Sequence, residues 1–342
     1  PRCGAAARRE TDTMDGFACS SWYFLRFVSP RCESAPFDSM GLAAWGNPDL
    51  YVGGAEHAVM HLLYARFWTK VLADAHIVPF REPFPRLRSQ GVMHAHDDNA
   101  GKVRRMSKSA GNVVTPDEMA SKHGADALRI YLLFMAPFEK DTVWEEDGIV
   151  GARRFLERAW RLVDQIAQAA GSGDAPATAA TRRGMERTAH RAIRDVTQDI
   201  EAMAFNTCIS RLMEFLNSLV ADHAEKGVTP ALADTTRTFV LLLAPFAPFI
   251  AEELWERLGG PYSVSQQPWP AWDPAAAAAD TITLVVQIDG KVRERLSAPA
   301  NITQAEALAL AMATPAATQA SAGRGPLRAV YVPGRLINLV SK

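Results

Sequence analysis

Nothing in this sequence is apolar for long enough to cross a membrane. The longest apolar run, Phe239 to Ala251, has 13 residues and carries Pro245 and Pro248, against about 20 for a spanning helix. Cysteine is scarce: Cys3, Cys19, Cys32 and Cys208 are the only four in 342 residues, and no two have Cys-x-x-Cys spacing. That excludes a disulfide framework for a chain of this length and makes a reducing, cytoplasmic setting the expectation. Charge of one sign is lacking as well. The 37 Lys and Arg balance 38 Asp and Glu to a net −1, which excludes a uniformly basic nucleic-acid coat but not local basic surfaces. No charged-then-apolar leader and no lipidation tail is present. The opening Pro1-Arg2-Cys3-Gly4 has no initiator Met and reads as the middle of something longer.

What is present is an ordinary globular composition, 48% hydrophobic and 22% charged, so wholesale disorder is excluded. The length suggests two or three domains at about 150 residues each. Residues 1–130 mix short β-like runs and helical stretches. Asp49 to Val52 reads as a strand ending in Gly53-Gly54, a helix pattern runs from Glu56 to about Ala75, and Gln90 to His94 reads as a second strand. Thr115-Pro116-Asp117-Glu118 is a helix start, with a capping Thr, Pro in the first turn and Glu three after the cap. Another helix should begin at Gly124-Ala125. From about 131 to 258 the periodicity is helical: Phe155, Ala159, Leu162 and Ile166 share a face. Ile200, Met203, Ala204, Cys208, Leu212, Phe215 and Leu219 continue such a stripe in a second helix. Gly171 to Thr181 reads as a loop, Ala231 to Leu243 and Phe249 to Leu258 as further helices. Residues 259–280, with Pro261, Pro268, Pro270, Pro274 and an alanine tract, have a linker composition. Thr281 to Ile288, Asp289-Gly290 and Lys291 to Leu296 spell a hairpin. A helix at Thr303 to Met312 and strands at Ala329 to Val332 and Leu336 to Val340 complete a small α/β unit, in which seven Lys and Arg outnumber the acids. The domains are expected at 1–130, 131–275 and 281–342.

Three stretches carry chemistry. In Arg105-Met106-Ser107-Lys108-Ser109, followed by Ala110-Gly111-Asn112, hydroxyl residues flank a Lys just before a capped helix. Such a loop can set an ammonium against a polyphosphate and stabilise charge on a leaving pyrophosphate. The bland alternative is a solvated basic loop in a region, 81 to 108, that holds seven Lys and Arg against three acids. In Tyr51-Val52-Gly53-Gly54-Ala55-Glu56-His57, with His61, two glycines after a strand let a ligand approach the backbone. A helix following them would aim its amides at that ligand. Glu56 can accept from ribose hydroxyls. His57 and His61, four apart, would share a helix face. A metal site from these two His and a carboxylate is the rival, but no third ligand has recognisable spacing, so no metal site is assigned. Buried core histidines are another alternative, which leaves the glycines unexplained. Glu10-Thr11-Asp12-Thr13-Met14-Asp15 with Phe17, Ser20, Ser21, Trp22 and Tyr23 sets aromatics beside small hydroxyls, which suits the wall of an apolar pocket as well as plain packing.

Together these stretches resemble the leucyl-tRNA synthetase family of class I aminoacyl-tRNA synthetases. Arg105 to Ser109 is similar to its KMSKS signature, with Arg for the first Lys. Glu10 to Tyr23 resembles its ETDT…SSWY segment, and Tyr51 to His61 its GG-x-EH…H segment. Asp126 to Arg129 reads DALR, as at the family's junction to the anticodon-binding helices. Val286 to Arg293 and Val332 to Leu336 resemble its C-terminal domain. The resemblance runs end to end and implies a fold: part of a Rossmann-type α/β class I catalytic domain, a helical anticodon-binding bundle and a small α/β C-terminal domain. It implies activation of leucine by ATP, with Mg²⁺ accompanying the ATP, and transfer to its tRNA. It implies that Lys108, with Arg105, Ser107 and Ser109, acts on the ATP phosphates. By the same resemblance Gly53, Gly54 and Glu56 hold the adenosine part, and Phe17, Ser20, Tyr23, His57 and His61 line the leucine pocket. The bundle and the last domain would bind tRNA by phosphate and shape contacts.

The family's HIGH signature is absent from this sequence; His94-Ala95-His96 is not that motif. Cys3-Gly4 resembles the tail of a zinc knuckle whose first Cys would precede residue 1. The expected state is therefore a C-terminal part of such an enzyme, truncated or paired with an N-terminal half chain, and inactive alone. The alternative is a non-catalytic tRNA-binding protein, against which the near-intact lysine loop argues.

Overall fold

The computed structural model describes residues 3–9, 11–13, 16–97, 101–169, 179–278, 281–299, 302–321 and 328–340. They fold as two compact units, 1–153 with 203–206, and 154–202 with 207–342.

The first unit opens with three short helices, α1 (Phe17–Ser20), α2 (Tyr23–Phe27) and α3 (Ser39–Trp45). The Arg26 guanidinium donates to the carbonyls of Pro30, Cys32, Ala35 and Pro36 and folds the α2–α3 loop around itself. Phe24, Leu25, Phe37, Leu42 and Val78 form the core beneath. Next come β1 (Tyr51–Val52), α4 (His61–Asp74) and β2 (Leu87–Arg88), with β2 parallel to β1: a βαβ unit. A second sheet has the order β4-β3-β5. In it β3 (Met93–Asp97) is antiparallel to β4 (Lys102–Arg105) and parallel to β5 (Thr142–Val143).

Helix α5 (Pro116–His123) starts as its sequence predicts. The Thr115 hydroxyl accepts from the Glu118 N–H, Pro116 occupies the first turn, and Gly124 at φ +92° ends the helix. In α6 (Ala125–Phe134), Asp126 is buried in the first turn, where helix-end partial charge favours it. Helix α7 (Glu146–Ala169) begins beside the Tyr131 ring. That ring is pinned: its hydroxyl donates to the Glu145 carbonyl at 2.7 Å and accepts from the Glu145 N–H at 3.0 Å, and Trp144 meets it edge-on at 5.0 Å.

The second unit continues α7 and adds α8 (Ala179–Glu201), α9 (Phe205–Lys226), α10 (Pro230–Leu243) and α11 (Pro248–Arg257). Phe155, Leu162 and Ile166 of α7, Ile193 and Val196 of α8, Leu212, Phe215 and Leu219 of α9, and Phe239 of α10 are all buried. The expected one-face apolar spacing thus becomes a bundle core. After α12 (Pro274–Ala277) comes a four-stranded sheet of order β7-β6-β9-β8. It comprises β6 (Thr281–Ile288), β7 (Lys291–Pro299), β8 (Arg328–Val332) and β9 (Leu336–Val340). Helices α13 (Gln304–Met312), with a Thr303–Glu306 capping box, and α14 (Pro315–Ser321) supply Ala307, Ala311 and Ala317 to its core. The β6–β7 turn takes both Asp289 and Gly290 to positive φ, 50° and 78°, as a two-residue hairpin of this hand needs.

Several expectations change. The strand at Gln90–His94 shifts to Met93–Asp97. Ahead of it, the Gly91 N–H goes to the Phe138 carbonyl, and a Cβ on Gly91 would lie 2.0 Å from the Lys140 carbonyl oxygen. The helix from Glu56 divides into a 3-10 turn, Ala55–Ala58, and α4, because Met60 adopts φ −113°, ψ −104°. Residues 135–145 leave helical structure: the Trp144 N–H donates to the His94 carbonyl at 2.8 Å and draws β5 onto the sheet. The stripe from Ile200 to Leu219 crosses a break, since Met203 lies at φ +56° between α8 and α9. The Gly171–Thr181 loop lies outside the described residues except at its end, where Ala179 to Thr181 already belong to α8. Residues 259–278 are a packed strap rather than a free linker. Trp269 Nε1 donates to Thr197 Oγ1 at 2.9 Å and the Asp273 N–H to His190 Nδ1 at 3.1 Å.

Two predictions follow from local contacts. Helical Gly→Ala changes commonly gain about 0.5–1 kcal/mol. At Gly148 a Cβ would lie 2.3 Å from Tyr131 Cε2. Gly148→Ala should instead lower stability by about 1–3 kcal/mol in urea unfolding. The Glu82 carboxylate pairs with Arg66 at 2.7 Å and Lys70 at 3.2 Å, and these cations lower its pKa from 4.5 to about 2. A depressed carboxylate pKa contributes stability above the unfolded value and loses it as pH falls through the folded one. The stability difference between wild type and Glu82→Gln should therefore be present near neutral pH, fade below pH 4.5 and vanish by about pH 2.

Candidate active site

The residues expected to line an apolar pocket do come together. Phe17 and His57 have ring centroids 6.4 Å apart and edge-on, Phe17 and His61 are stacked at 6.0 Å, and Tyr23 and His61 lie at 6.4 Å. His61 is the hub. Its Nε2 lies 2.7 Å from the Ser20 carbonyl oxygen, which can only accept, so Nε2 carries a proton. In the neutral ring Nδ1 is then the acceptor of the Tyr51 hydroxyl at 3.1 Å. Ser20 thus contributes its carbonyl. Tyr51, which sequence reading placed in the strand and not in the pocket, supplies the second hydrogen bond. Burial pushes the Tyr23 phenol above its usual pKa, and neighbouring Tyr51 adds to this.

This wiring bears on the metal rival. Both His61 nitrogens are committed, and His57 and His61 stand 6.3 Å apart, ring to ring, on a 3-10 turn and a helix rather than one helix face. Among the described residues no three His, Cys, Asp or Glu side chains could hold a metal ion. Cys3 is exposed. His57 Nδ1 is buried without a hydrogen-bond partner.

The other two stretches meet through one ion pair. Arg105, the last residue of β4, donates from Nη2 to Glu56 Oε1 at 2.9 Å across 49 residues of chain. That hydrogen bond holds the Glu56 carboxyl below the usual carboxylate range, with help from its own backbone amide. The glycines have a local reason as well. A Cβ on Gly54 would lie 2.4 Å from Glu56 Oε2, and one on Gly53 3.0 Å from the Tyr51 ring. No α-helix N-terminus follows them, so the expected array of helical amides is replaced by the turn at Ala55–Ala58, where the His57 N–H returns to the Gly54 carbonyl.

The lysine loop is tethered at its base. Asn112, buried, accepts the Ser107 N–H at 3.0 Å and donates to the Ala95 and Arg104 carbonyls at 3.4 Å each. Lys108 itself is exposed on a 3-10 turn, Lys108–Ala110, closed by the Gly111 N–H and Gly111 at φ +67°. The Ser107 and Ser109 hydroxyls lie 3.3 Å apart. Glu10, Met14 and Asp15 lie outside the described residues.

Residues 42–145 match the family model for class I tRNA synthetases (I, L, M and V), and residues 182–308 that for the anticodon-binding domain of tRNA ligase. The whole chain is 45% identical to the leucine–tRNA ligase of Dehalococcoides mccartyi, and 99% of it is 46% identical to that of Rubrobacter xylanophilus. The chain is homologous to leucine–tRNA ligases. It spans 41% and 40% of the length of those two relatives. A solved ternary complex of the Agrobacterium radiobacter leucyl-tRNA synthetase with tRNA and LeuAMS matches all of this chain, with a TM-score of 0.81 and 38% identity, and is itself covered over 44%. A Mycobacterium tuberculosis methionyl-tRNA synthetase shares the fold over 65% of this chain, 46% of its own, at TM-score 0.51 and 22% identity. The architecture is accordingly a class I catalytic fragment, a helical anticodon-binding domain and a mixed terminal sheet.

The Glu56–Arg105 pair generates a prediction. With Arg105→Met the Glu56 carboxyl should titrate nearer the ordinary glutamate range. Side-chain carboxyl ¹³C shifts against pH would read the change, and an unmoved Glu56 would assign its acidity to another group.

Proposed function

We propose that this chain supplies the lysine-loop half of the adenylate-forming site, and tRNA-binding parts, of a leucine–tRNA ligase. The reading rests on one contact above the others: Arg105 of the lysine-loop segment on Glu56 of the glycine segment, next in sequence to His57 of the His61 cluster.

In the reaction a leucine carboxylate oxygen attacks the α-phosphorus of ATP, the bond from that phosphorus to the oxygen bridging to the β-phosphate breaks, and pyrophosphate leaves; the Mg²⁺ accompanying ATP would offset its charge. Lys108 stabilises the charge that builds on the leaving group, assisted by Arg105 and the Ser107 and Ser109 hydroxyls. Gly53 and Gly54 admit the adenosine close to the backbone, and Glu56 accepts from the ribose, in competition with Arg105. Phe17, Tyr23, His57 and His61, with Tyr51 behind them, present an apolar wall to the leucine side chain. Such a wall separates side chains differing by one methylene by only about 1–3 kcal/mol. In the second step a hydroxyl of the terminal tRNA ribose attacks the leucyl carbonyl and AMP departs. The anticodon-domain helices and the basic residues of the terminal sheet hold the tRNA through phosphate and shape contacts.

The test is leucine-dependent ATP–pyrophosphate exchange. We expect none from this chain alone, because its sequence has no HIGH segment. We expect exchange when it is mixed with the N-terminal portion of the Dehalococcoides mccartyi enzyme. Lys108→Ala should then lower the rate roughly 10²–10³-fold. Absence of exchange in every mixture, with tRNA still bound, would leave the chain as a non-catalytic tRNA-binding protein.

A further inference from the structure

Asn112 is a buried carboxamide, 9% exposed, on the short segment between the lysine loop and α5. Out of water such a group needs partners for its oxygen and for its two N–H bonds. Its Nδ2 donates to the carbonyls of Ala95 and Arg104, 3.4 Å from each. Those two residues face each other across β3 and β4, so one NH₂ group spans the ladder a residue before β4 ends. Its Oδ1 accepts the Ser107 N–H at 3.0 Å.

Ser107 and Asn112 flank the turn Lys108–Ala110, so the bond between them closes the loop on itself. Inside it, the Gly111 N–H closes a smaller ring on the Lys108 carbonyl at 3.2 Å, with Gly111 at φ +67°. The backbone of Lys108 thus lies within two nested closures, the outer one made by Asn112. Its ammonium is exposed and pairs with no carboxylate among the described residues. An Asn that served the sheet alone would bind the two strands and leave the loop untouched. This one spends its oxygen on the residue next to Lys108.

We propose that Asn112 is a positioning residue for Lys108: it ties the root of the lysine loop to β3 and β4 and so sets where the ammonium meets the departing pyrophosphate. The inference rests on the proposed function. Asn112 itself touches no substrate. A loose root lowers the fraction of complexes in which the ammonium is in place. The loss therefore falls on the chemical step and not on the binding of ATP.

The test has two arms. In the first, amide hydrogen exchange is followed by NMR on this chain alone. Asn112→Ala and Asn112→Asp should both unprotect the Ser107 and Gly111 amides, while α4 and α9 exchange as in wild type; Asn112→Ser serves if the alanine variant does not fold. The aspartate keeps an acceptor but sets its oxygens against the two strand carbonyls, so a wild-type loop in that variant overturns the span. Unchanged Ser107 protection in Asn112→Ala overturns the tether. In the second arm, leucine-dependent ATP–pyrophosphate exchange is measured on mixtures with the N-terminal portion of the Dehalococcoides mccartyi enzyme. Asn112→Ala should lower kcat roughly tenfold to a hundredfold and leave the KM for ATP nearly unchanged. In a Lys108→Ala background the same substitution should lower the rate by less than about threefold more, because the group it positions is gone. Equal losses in the two backgrounds, or a loss confined to KM, would make Asn112 a structural residue and overturn the proposal. No exchange by wild type removes the parent reading and the part of Asn112 in catalysis with it; loss of Ser107 protection in Asn112→Ala then still establishes the tether.

Discussion

The imidazole of His61 donates from one nitrogen to the Ser20 carbonyl and accepts at the other from the Tyr51 hydroxyl, and the first unit's candidate site is assembled around that constraint. Three segments distant in sequence are tied at one ring: the α1 turn, the β1 strand and the start of α4. Because His61 is buried, losing either partner would strand a polar atom away from water, at a cost of about 1–3 kcal/mol. The same geometry fixes the tautomer. It leaves Phe17, Tyr23 and His57 packed around the His61 ring.

The charged contacts play a different part. Glu56–Arg105 lies toward solvent, with the Arg side chain 63% exposed, and pairs of that kind add little stability. Its value is positional. It brings a carboxylate and a guanidinium from the two segments that carry glycines and lysine to within 2.9 Å. In the second unit, polar contacts join elements far apart in sequence. The Arg257 guanidinium sits 4.3 Å over the Trp160 ring while its Nη1 reaches Asp164, joining α11 to α7. The proline-rich strap that follows is held by indole and backbone N–H donors from Trp269 and Asp273.

Elements with a local cause were legible in the sequence. Thr115-Pro116-Asp117-Glu118 starts a helix, Asp289-Gly290 turns a hairpin, and Pro230 and Pro248 open helices at or within a residue of where the pattern puts them. The misreadings had causes that residue periodicity does not carry, one of them local and two of them distant in sequence. The break at Met60 follows a turn whose glycines accommodate Tyr51 and Glu56. The strand at Thr142–Val143 exists because the β3 edge was available to pair with. The strap looked like a linker because its partners, Thr197 and His190, lie more than seventy residues away. Among the residues that type and spacing singled out, the structure brings Phe17, His57 and His61 together and sets Glu56 on Arg105. The roles of Tyr51 and Asn112 were not visible, since each acts through a hydrogen bond to a residue that the sequence does not mark as its neighbour.

Asn112 makes the last link between structure and chemistry. In the role proposed for Lys108, a loop that brings an ammonium to a leaving pyrophosphate would need freedom at its tip and none at its root. Free roots cost ordering entropy, about 1–2 kcal/mol per residue fixed, at the moment when that energy is needed for the transition state. Here three hydrogen bonds from one buried amide side chain hold the root to β3, β4 and the Ser107 backbone. Lys108 is the next residue along, on a turn whose end the Gly111 N–H closes onto the Lys108 carbonyl. In the proposed role of Lys108, the motion needed would be that of a short turn and one side chain.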